Sequence, residues 1–168
     1  MVPANDNVAE NAPGATLAST RIERVLQIKA KPETVFALLT DAEECVRWMG
    51  TQATLEPHAG GLYRVNCTGK DTARGVFLEV VPHSRVVFSW GWEGEGHPIP
   101  PGSTTVEITL TPEAAGTRLN FLHRDLPADA VGDHENGWDH FLERLQVLAG
   151  GADPGVDPWA ADAEAAGG

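Results

Sequence analysis

The sequence is poor in cysteine, has no long hydrophobic run and has no basic residue near either end. Its two cysteines, Cys45 and Cys67, have the spacing of neither a redox motif nor a zinc site, which predicts buried free thiols in a reducing compartment. No segment approaches the roughly 18 consecutive apolar residues that a membrane-spanning helix needs. Residues 1–20 have neither the basic region nor the apolar run of a signal peptide, so we predict a cytoplasmic protein.

Positive charge is scarce in the whole chain. The formal net charge of the 168 residues is −12, and all 12 lysines and arginines lie between Arg21 and Arg144 together with 18 of the 24 acidic residues. A mildly acidic body with acidic ends repels nucleic acid and anionic lipid. We therefore expect neither nucleic acid nor a membrane as a partner.

The composition divides the chain into three parts. Residues 1–19 and 151–168 are rich in Ala, Gly, Pro, Asn and Asp, which predicts two flexible tails, the second of them acidic. Residues 20–150 form one domain of ordinary size. In the C-terminal tail, Trp159 is the one residue that we expect to dock onto the body or a partner if any does.

The first half of the domain predicts one strand and two short helices. Residues 21–30, "RIERVLQIKA", alternate as a strand does, and Pro32 suits the first turn of the helix "PETVFALLT". Asp41 is predicted to cap a second helix, with Glu44 completing a capping box and Gly50 ending it. The buried side of that helix is predicted to consist of Cys45, Trp48 and Met49.

The second half changes to a period of two residues and then to a long helix. Five runs, "GLYRVNC", "RGVFLEVV", "RVVFSW", "TVEITL" and "TRLNFLH", predict an antiparallel sheet with one covered face. In the second run we expect Val76, Leu78 and Val80 to point inward. Asp133 is predicted to cap the last helix, which ends at "GG" (150–151) and carries one apolar stripe. The stripe consists of Trp138, Phe141, Leu142, Leu145 and Leu148.

The ordered elements resemble a known family. A strand leads into "KPETVFALLTDAEECVRWMG", followed by "GGLYRV", "GVFLEVVPHSRVVFSW", "GTRLNFLHRDL" and "HENGWDHFLERL". Over residues 21–149 the chain is similar to the single-domain proteins that resemble the C-terminal domain of the activator of Hsp90 ATPase, within the START-like (SRPBCC, Bet v 1-like) superfamily. The resemblance implies an α+β helix-grip fold, in which a curved antiparallel sheet wraps a long C-terminal helix around a hydrophobic cavity.

The histidines do not have the spacing of a metal site. His134 and His140 are six residues apart and point about 120° away from each other on a helix. Trp138 occupies the position at which a second ligand would follow His134. We predict no metal and no cofactor, a solvated His140, and a close approach of helix and sheet at Gly137.

Two histidines are the candidates for chemistry. His123 has inward parity in its strand, and His134 shares the apolar stripe of the last helix. Each either has a structural hydrogen bond in the core or faces a ligand. Paired with Asp125 or Glu135, they would suit acid–base catalysis, since imidazole titrates near neutral pH. No nucleophile motif accompanies them, so the sequence favours binding over catalysis.

The aromatic residues are the main candidates for a ligand site. Each one alone is more typical of a solid core, but in this fold several are expected to line a pocket. With the two histidines, the predicted ligand-binding residues are Trp48, Tyr63, Phe88, Trp90, Phe121, His123, His134, Trp138 and Phe141.

Three functions remain open at this point. The favoured one is the binding of a small hydrophobic or amphipathic molecule without a cofactor. The second is cyclase- or hydrolase-like chemistry in the same cavity, assisted by His123, His134 and Tyr63. The third is a co-chaperone-like protein-binding role. The Gly- and Pro-rich segment 91–103 is a plain hairpin loop, a lid over the cavity or a contact in a homodimer.

Overall fold

The computed structural model describes residues 20–160, which form an α+β domain. Within these residues, strand β1 is followed by two short helices, six further strands and a 19-residue helix. The elements are β1 (Ile22–Ile28), α1 (Pro32–Thr40), α2 (Ala42–Cys45), β2 (Gln52–Leu55), β3 (Leu62–Asn66), β4 (Thr72–Val81), β5 (Arg85–Trp90), β6 (Thr104–Glu113), β7 (Gly116–Arg124), a 3-10 turn (Ala128–Ala130) and α3 (Val131–Ala149).

The strands form one antiparallel sheet with the order β1-β7-β6-β5-β4-β3-β2. All neighbouring pairs are antiparallel, and β1 returns from the start of the chain to pair with β7, placing Leu26 opposite Leu119. Six of the seven strands were predicted from the sequence. Strand β2 was missed because its four residues, "QATL", are too short to show alternation.

Strand β4 faces the opposite way from the sequence prediction. Phe77 is fully buried, whereas Val76 and Leu78 are 40% and 48% exposed. A register shift between Phe77 and Glu79 then changes the parity, so that Val80 packs against the core. The inward prediction was therefore wrong for Val76 and Leu78. The large ring of Phe77 buries more apolar surface than either aliphatic side chain, and the bulge allows both parities within one strand.

Both short helices form, but the second is shorter than predicted: α2 ends at Cys45, and residues 46–49 form a turn before Gly50. Pro32 begins α1, and the Asp41 carboxylate accepts the backbone N–H groups of Glu43 and Glu44 at the start of α2. The capping box is incomplete, because the Glu44 carboxylate accepts from Arg47 instead. Cys45, Trp48 and Met49 are buried, and the chain turns away at Gly50 with a φ of +86°.

Helix α3 packs its apolar stripe into the concave face of the sheet. Trp138, Phe141, Leu142 and Leu145 are buried, and Leu148 is partly buried. The helix begins at Val131, so Asp133 lies in its first turn and the prediction of an Asp133 cap was wrong. After the preceding 3-10 turn, the helix therefore starts three residues earlier than the side-chain pattern indicated.

The segment after α3 folds back onto the helix through what we call the C-terminal clasp: Pro154, Gly155, Asp157 and Trp159. The His140 imidazole bonds to the Asp157 carboxylate at 2.8 Å, and the Trp159 ring stacks on that imidazole at 3.7 Å between centroids. His140 is therefore largely covered, which corrects the prediction that it is solvated.

Arg144 holds the other half of the clasp. Its guanidinium donates to the carbonyl oxygens of Pro154 and Gly155 and to that of Trp48. The predicted flexible tail beginning at residue 151 is thus docked over its first ten residues. Residues 161–168 of that predicted tail, and the predicted tail 1–19, lie outside the described residues.

Trp159→Ala should lower the free energy of unfolding by about 1 kcal/mol, because it removes the ring that stacks on His140. Urea denaturation followed by circular dichroism measures the change. Val156→Ala is the matched control, since Val156 lies in the same segment but is 81% exposed and should change the stability by less than about 0.5 kcal/mol. Equal stability of the Trp159 variant and the wild type would contradict the docking.

Within residues 20–160, no helix combines the length and the apolar character that crossing a membrane requires.

Candidate functional site

A cavity of about 240 Å³ lies beside the N-terminal half of α3. Helix α3 presents one face to it, the end of β5 and the following loop form a second wall, and the turn between β3 and β4 forms a third. The lining residues are Cys67, Asp71, Trp90, Trp92, His97, Asp133, His134, Gly137, Trp138 and Phe141. Four of the predicted site residues meet here, namely Trp90, His134, Trp138 and Phe141.

The other predicted site residues lie in the packed core. Tyr63 stacks on Phe88 at 3.9 Å between ring centroids, and burial raises the pKa of its phenol well above the ordinary value. The indole N–H of Trp48 donates to the backbone oxygen of Leu38 at 2.8 Å. Phe121 packs against Trp138 at 4.7 Å. The rings of Tyr63 and Phe88 contact Trp90, so these two rings and Phe121 support the wall of the cavity from behind.

His123 is buried in a chain of hydrogen bonds. The indole N–H of Trp138 donates to its Nδ1 at 3.0 Å, and its Nε2 lies 2.8 Å from the Thr104 hydroxyl. That hydroxyl donates to the backbone oxygen of Trp90, so the His123 Nε2 must carry the proton. Burial, followed by the charge that His134 can carry, lowers the pKa of His123 to about 3. The ring is therefore neutral at pH 7 and both of its nitrogens are engaged.

His134 is fixed in a similar way at the cavity wall. Its Nδ1 donates to the backbone oxygen of Ala130 at 2.9 Å, which leaves Nε2 to accept the indole N–H of Trp92 at 3.1 Å. Burial is the main cause that lowers its pKa. The imidazoles of His123 and His134 contact each other edge to face, with centroids 5.4 Å apart.

The predicted acidic partners of this pair are engaged elsewhere. The Asp125 carboxylate pairs with Arg124, and the Glu135 carboxylate pairs with Arg24. Since both lone-pair nitrogens of the two histidines already accept an indole N–H, neither ring has a free base to offer a substrate in this arrangement.

Segment 91–103 folds over the cavity. Trp92 and His97 line it, and Ile99 is buried beneath the loop. Glu93 ties the loop to the sheet through ion pairs with Arg64 and Arg74, and these hydrogen bonds, that of Arg64 first, lower the pKa of Glu93. Two side chains of this segment, Trp92 and His97, therefore form part of the cavity wall.

The Trp90 indole is unusual among the buried donors. Its side chain is 3% exposed and lines the cavity, and its Nε1 has no acceptor among residues 20–160. A buried N–H without an acceptor costs about 1–3 kcal/mol. The other two tryptophans of the wall, Trp92 and Trp138, each donate to a histidine.

Gly137 is the second unusual feature of the wall. The sequence predicted that the helix and the sheet approach closely here, but a Cβ built on Gly137 meets no atom within 4 Å. The prediction was wrong. The missing side chain opens space in the cavity instead of permitting tight packing.

Sequence reasoning missed several residues of the wall. Asp71, Asp133 and His97 are exposed polar residues whose position near the cavity follows only from the fold. Cys67 and Cys45 are buried free thiols, as predicted, and burial raises the pKa of Cys45 to about 12. No group of three or more His, Cys, Asp or Glu side chains in the described part of the chain is arranged to hold a metal ion.

The sheet, the long helix and the cavity between them define a helix-grip protein of the START-like, Bet v 1-like type. The family model described as Activator of Hsp90 ATPase homolog 1-like protein matches residues 29–150. The chain belongs to this family. The resemblance and the fold class predicted from the sequence are thereby confirmed. No curated protein matches the sequence.

Solved structures support the same conclusion. An AHSA1-like protein from Rhizobium etli is 49% identical, with 82% of this chain and 86% of that chain covered and a TM-score of 0.66. DynU16, a protein of the dynemicin biosynthetic locus, is 24% identical over 81% of this chain and 49% of its own length, with a TM-score of 0.69. The Aha1 dimer from Colwellia psychrerythraea is 20% identical over 79% and 98%, with a TM-score of 0.66. The last two show the fold alone.

Proposed function

We propose that this protein binds a small hydrophobic or amphipathic molecule in the cavity beside α3. The observation that carries the proposal is Gly137. A glycine inside a helix costs about 1 kcal/mol relative to alanine. Nothing packs against the position, so the cost is not offset by close contact with the sheet. The glycine instead keeps open the space that a ligand would fill.

The chemistry of the wall supports the same function. Trp90, Trp92, Trp138 and Phe141 supply apolar surface, and the Trp90 N–H supplies a donor without an acceptor. Ligand pockets combine largely apolar walls with a few directional polar groups in this way. An oxygen or nitrogen acceptor on the ligand would satisfy the Trp90 donor.

The state of the histidines favours binding over catalysis. A general base needs a free lone pair near the reacting proton. His123 and His134 direct theirs at the indole N–H groups of Trp138 and Trp92. Their role in this proposal is to orient two tryptophan rings of the wall.

Filling the cavity at Gly137 tests the proposal without weakening the fold. Gly137→Leu places a side chain in the cavity and should raise the thermal stability slightly, since leucine favours a helix. Native mass spectrometry of the freshly purified protein, repeated after denaturation, detects a co-purifying molecule. If the protein purifies empty, indole serves as a neutral probe by isothermal titration calorimetry. We expect binding to the wild type and at least a ten-fold loss in Gly137→Leu.

Gly132→Leu is the matched control. Gly132 lies in the same helix, and a Cβ there also meets nothing within 4 Å, but the residue is not part of the cavity wall. The control should bind as the wild type does. Undiminished binding to a folded Gly137→Leu variant, or equal loss in both variants, would count against the cavity as the site.

A further inference from the structure

We propose that the ligand of this cavity carries a positive charge, as a quaternary ammonium or protonated amine held against the tryptophan faces with Asp71 and Asp133 at the mouth. This inference rests on the proposed function and specifies its ligand class. It also assigns roles to two acidic residues that neither the core nor the helix cap requires.

The wall of the cavity has a negative formal charge. It contains Asp71 and Asp133 and no lysine or arginine. His134 does not offset this charge, because burial lowers its pKa and its Nε2 accepts a hydrogen bond. Lys70 precedes Asp71 in the chain but is not part of the wall.

The nearest arginines on the loop side are neutralised by other partners. Arg64 donates to both carboxylate oxygens of Glu93, at 2.6 and 2.9 Å, and Arg74 reaches the same carboxylate at 3.4 Å. On the helix side, Arg24 pairs with Asp139 at 2.7 Å and with Glu135. A cation in the cavity would therefore meet two carboxylates without competing protein cations in the wall.

No structural contact explains why residue 133 is an aspartate. The helix cap is Ala130, and the Asp133 carboxylate makes no hydrogen bond or ion pair with the residues described. An acidic residue in the first turn of a helix gains a few tenths of a kcal/mol from the helix dipole. The helix dipole does not explain the other carboxylate of the wall, that of Asp71. Asp71 lies in the turn between β3 and β4, and its carboxylate accepts one weak hydrogen bond, from the Thr68 hydroxyl.

The tryptophans have a geometry that suits a cation. Trp90 and Trp92 meet at 5.3 Å with their planes at 79°, and Trp90 and Trp138 meet at 5.0 Å with their planes at 48°. The three rings are inclined to one another, so more than one ring can border the same small volume. Tryptophan attracts a cation over its face more strongly than the other aromatic residues do, and aromatic cages bind quaternary ammonium groups in this way.

The unpartnered Trp90 N–H is an independent sign of a ligand and adds a second requirement. This donor belongs to a 97%-buried ring of the wall and has no acceptor among residues 20–160. A ligand that satisfies it needs an acceptor such as a hydroxyl, ether or carbonyl oxygen. Together with the acidic mouth, this describes a small amino alcohol, amino ether or similar amphipathic amine.

A pair of probes that differ only in charge tests the inference. Choline and its neutral carbon isostere 3,3-dimethylbutan-1-ol have the same shape, and indole is the neutral probe for the cavity. The ¹⁵N-labelled wild-type protein is titrated with each probe, and the indole N–H signals of the five tryptophans are followed by NMR. We expect choline to shift the signals of Trp90, Trp92 and Trp138 and to bind about ten-fold more tightly than the isostere.

Charge-removing variants identify the groups responsible. Asp71→Asn and Asp133→Asn should each weaken choline binding about two-fold and leave the isostere unaffected, and the double variant should keep only the smaller preference for choline that the tryptophan faces provide. Asp129→Asn is the matched control, since Asp129 is an exposed acid just before α3 that does not line the cavity. Added salt should weaken the binding of choline alone.

The outcomes separate this inference from the function on which it rests. Equal affinity for choline and its isostere, a preference for choline that the double variant does not reduce, or choline shifts confined to Trp48 and Trp159 would overturn the inference. If indole still bound in the cavity, the proposed function would stand. If none of the three probes shifted Trp90, Trp92 or Trp138, both would fail.

Discussion

Trp138→Ala should lower the free energy of unfolding by about 4 kcal/mol, measured by urea denaturation at pH 7. Trp138 is 3% exposed and joins helix α3 to the sheet through ring contacts with Phe121 at 4.7 Å and Trp90 at 5.0 Å. Truncating a buried tryptophan removes its transfer free energy and leaves a cavity, which together cost about 3–5 kcal/mol. The loss also leaves the His123 Nδ1 without its donor.

Trp138→Phe separates the packing from the hydrogen bond. The phenyl ring keeps most of the buried apolar surface but cannot donate to His123, so we expect a smaller loss of about 1–3 kcal/mol. The wild type and both variants are compared under identical conditions. A loss below about 1 kcal/mol for Trp138→Ala would mean that the ring does not hold the helix against the sheet.

The second large effect is a loss of stability at acidic pH that depends on His123. The ordinary pKa of histidine is about 6.5, and burial lowers that of His123 to about 3. The unfolded chain therefore takes up a proton as the pH falls through about 6.5, while the folded chain takes it up only near 3. The contribution of His123 to stability is complete above about pH 6.5 and is lost between pH 6.5 and 3, at about 1.4 kcal/mol per pH unit.

Comparison of pH 7 and pH 5 isolates this effect. The wild type should lose about 2 kcal/mol more than His123→Gln between these two values, because glutamine does not titrate. Glutamine also keeps one donor and one acceptor for Thr104 and Trp138. Equal slopes of unfolding free energy against pH for the wild type and the variant would contradict a buried neutral His123.

The sequence predicted the elements better than the faces that they present. Alternation located six of the seven strands, and Pro32 and the apolar stripe located α1 and α3, because those signals are local. The parity of β4 was misjudged because Val76, Phe77 and Leu78 are all apolar, and the two charged residues of the run, Arg74 and Glu79, have opposite parity although both are exposed. A β-bulge then changes the parity within the strand, which the sequence pattern does not reveal.

The residues of the candidate site were also difficult to predict, because they come together from distant parts of the sequence. The stripe on α3 predicted that Trp138 and Phe141 face the sheet, but the space beside Gly137 depends on how far the loop after β5 lies from the helix. Asp71 and Asp133 are 62 residues apart, and their shared position at the cavity is a product of the tertiary fold alone. His140 was misjudged because its partner, Asp157, lies in a segment whose composition predicts a tail.

Because of the C-terminal clasp, the folded domain extends beyond the region that matches the family model. The family match covers residues 29–150, yet β1 lies before it, and the clasp that covers His140 and anchors Arg144 lies after it. Trimming the protein to the matched region would remove an edge strand and uncover the back of the helix that carries half of the cavity wall. A fusion partner or affinity tag is better attached beyond residue 160. A version of this protein cut to residues 29–150 should be less stable than the full chain, because it lacks both β1 and the clasp.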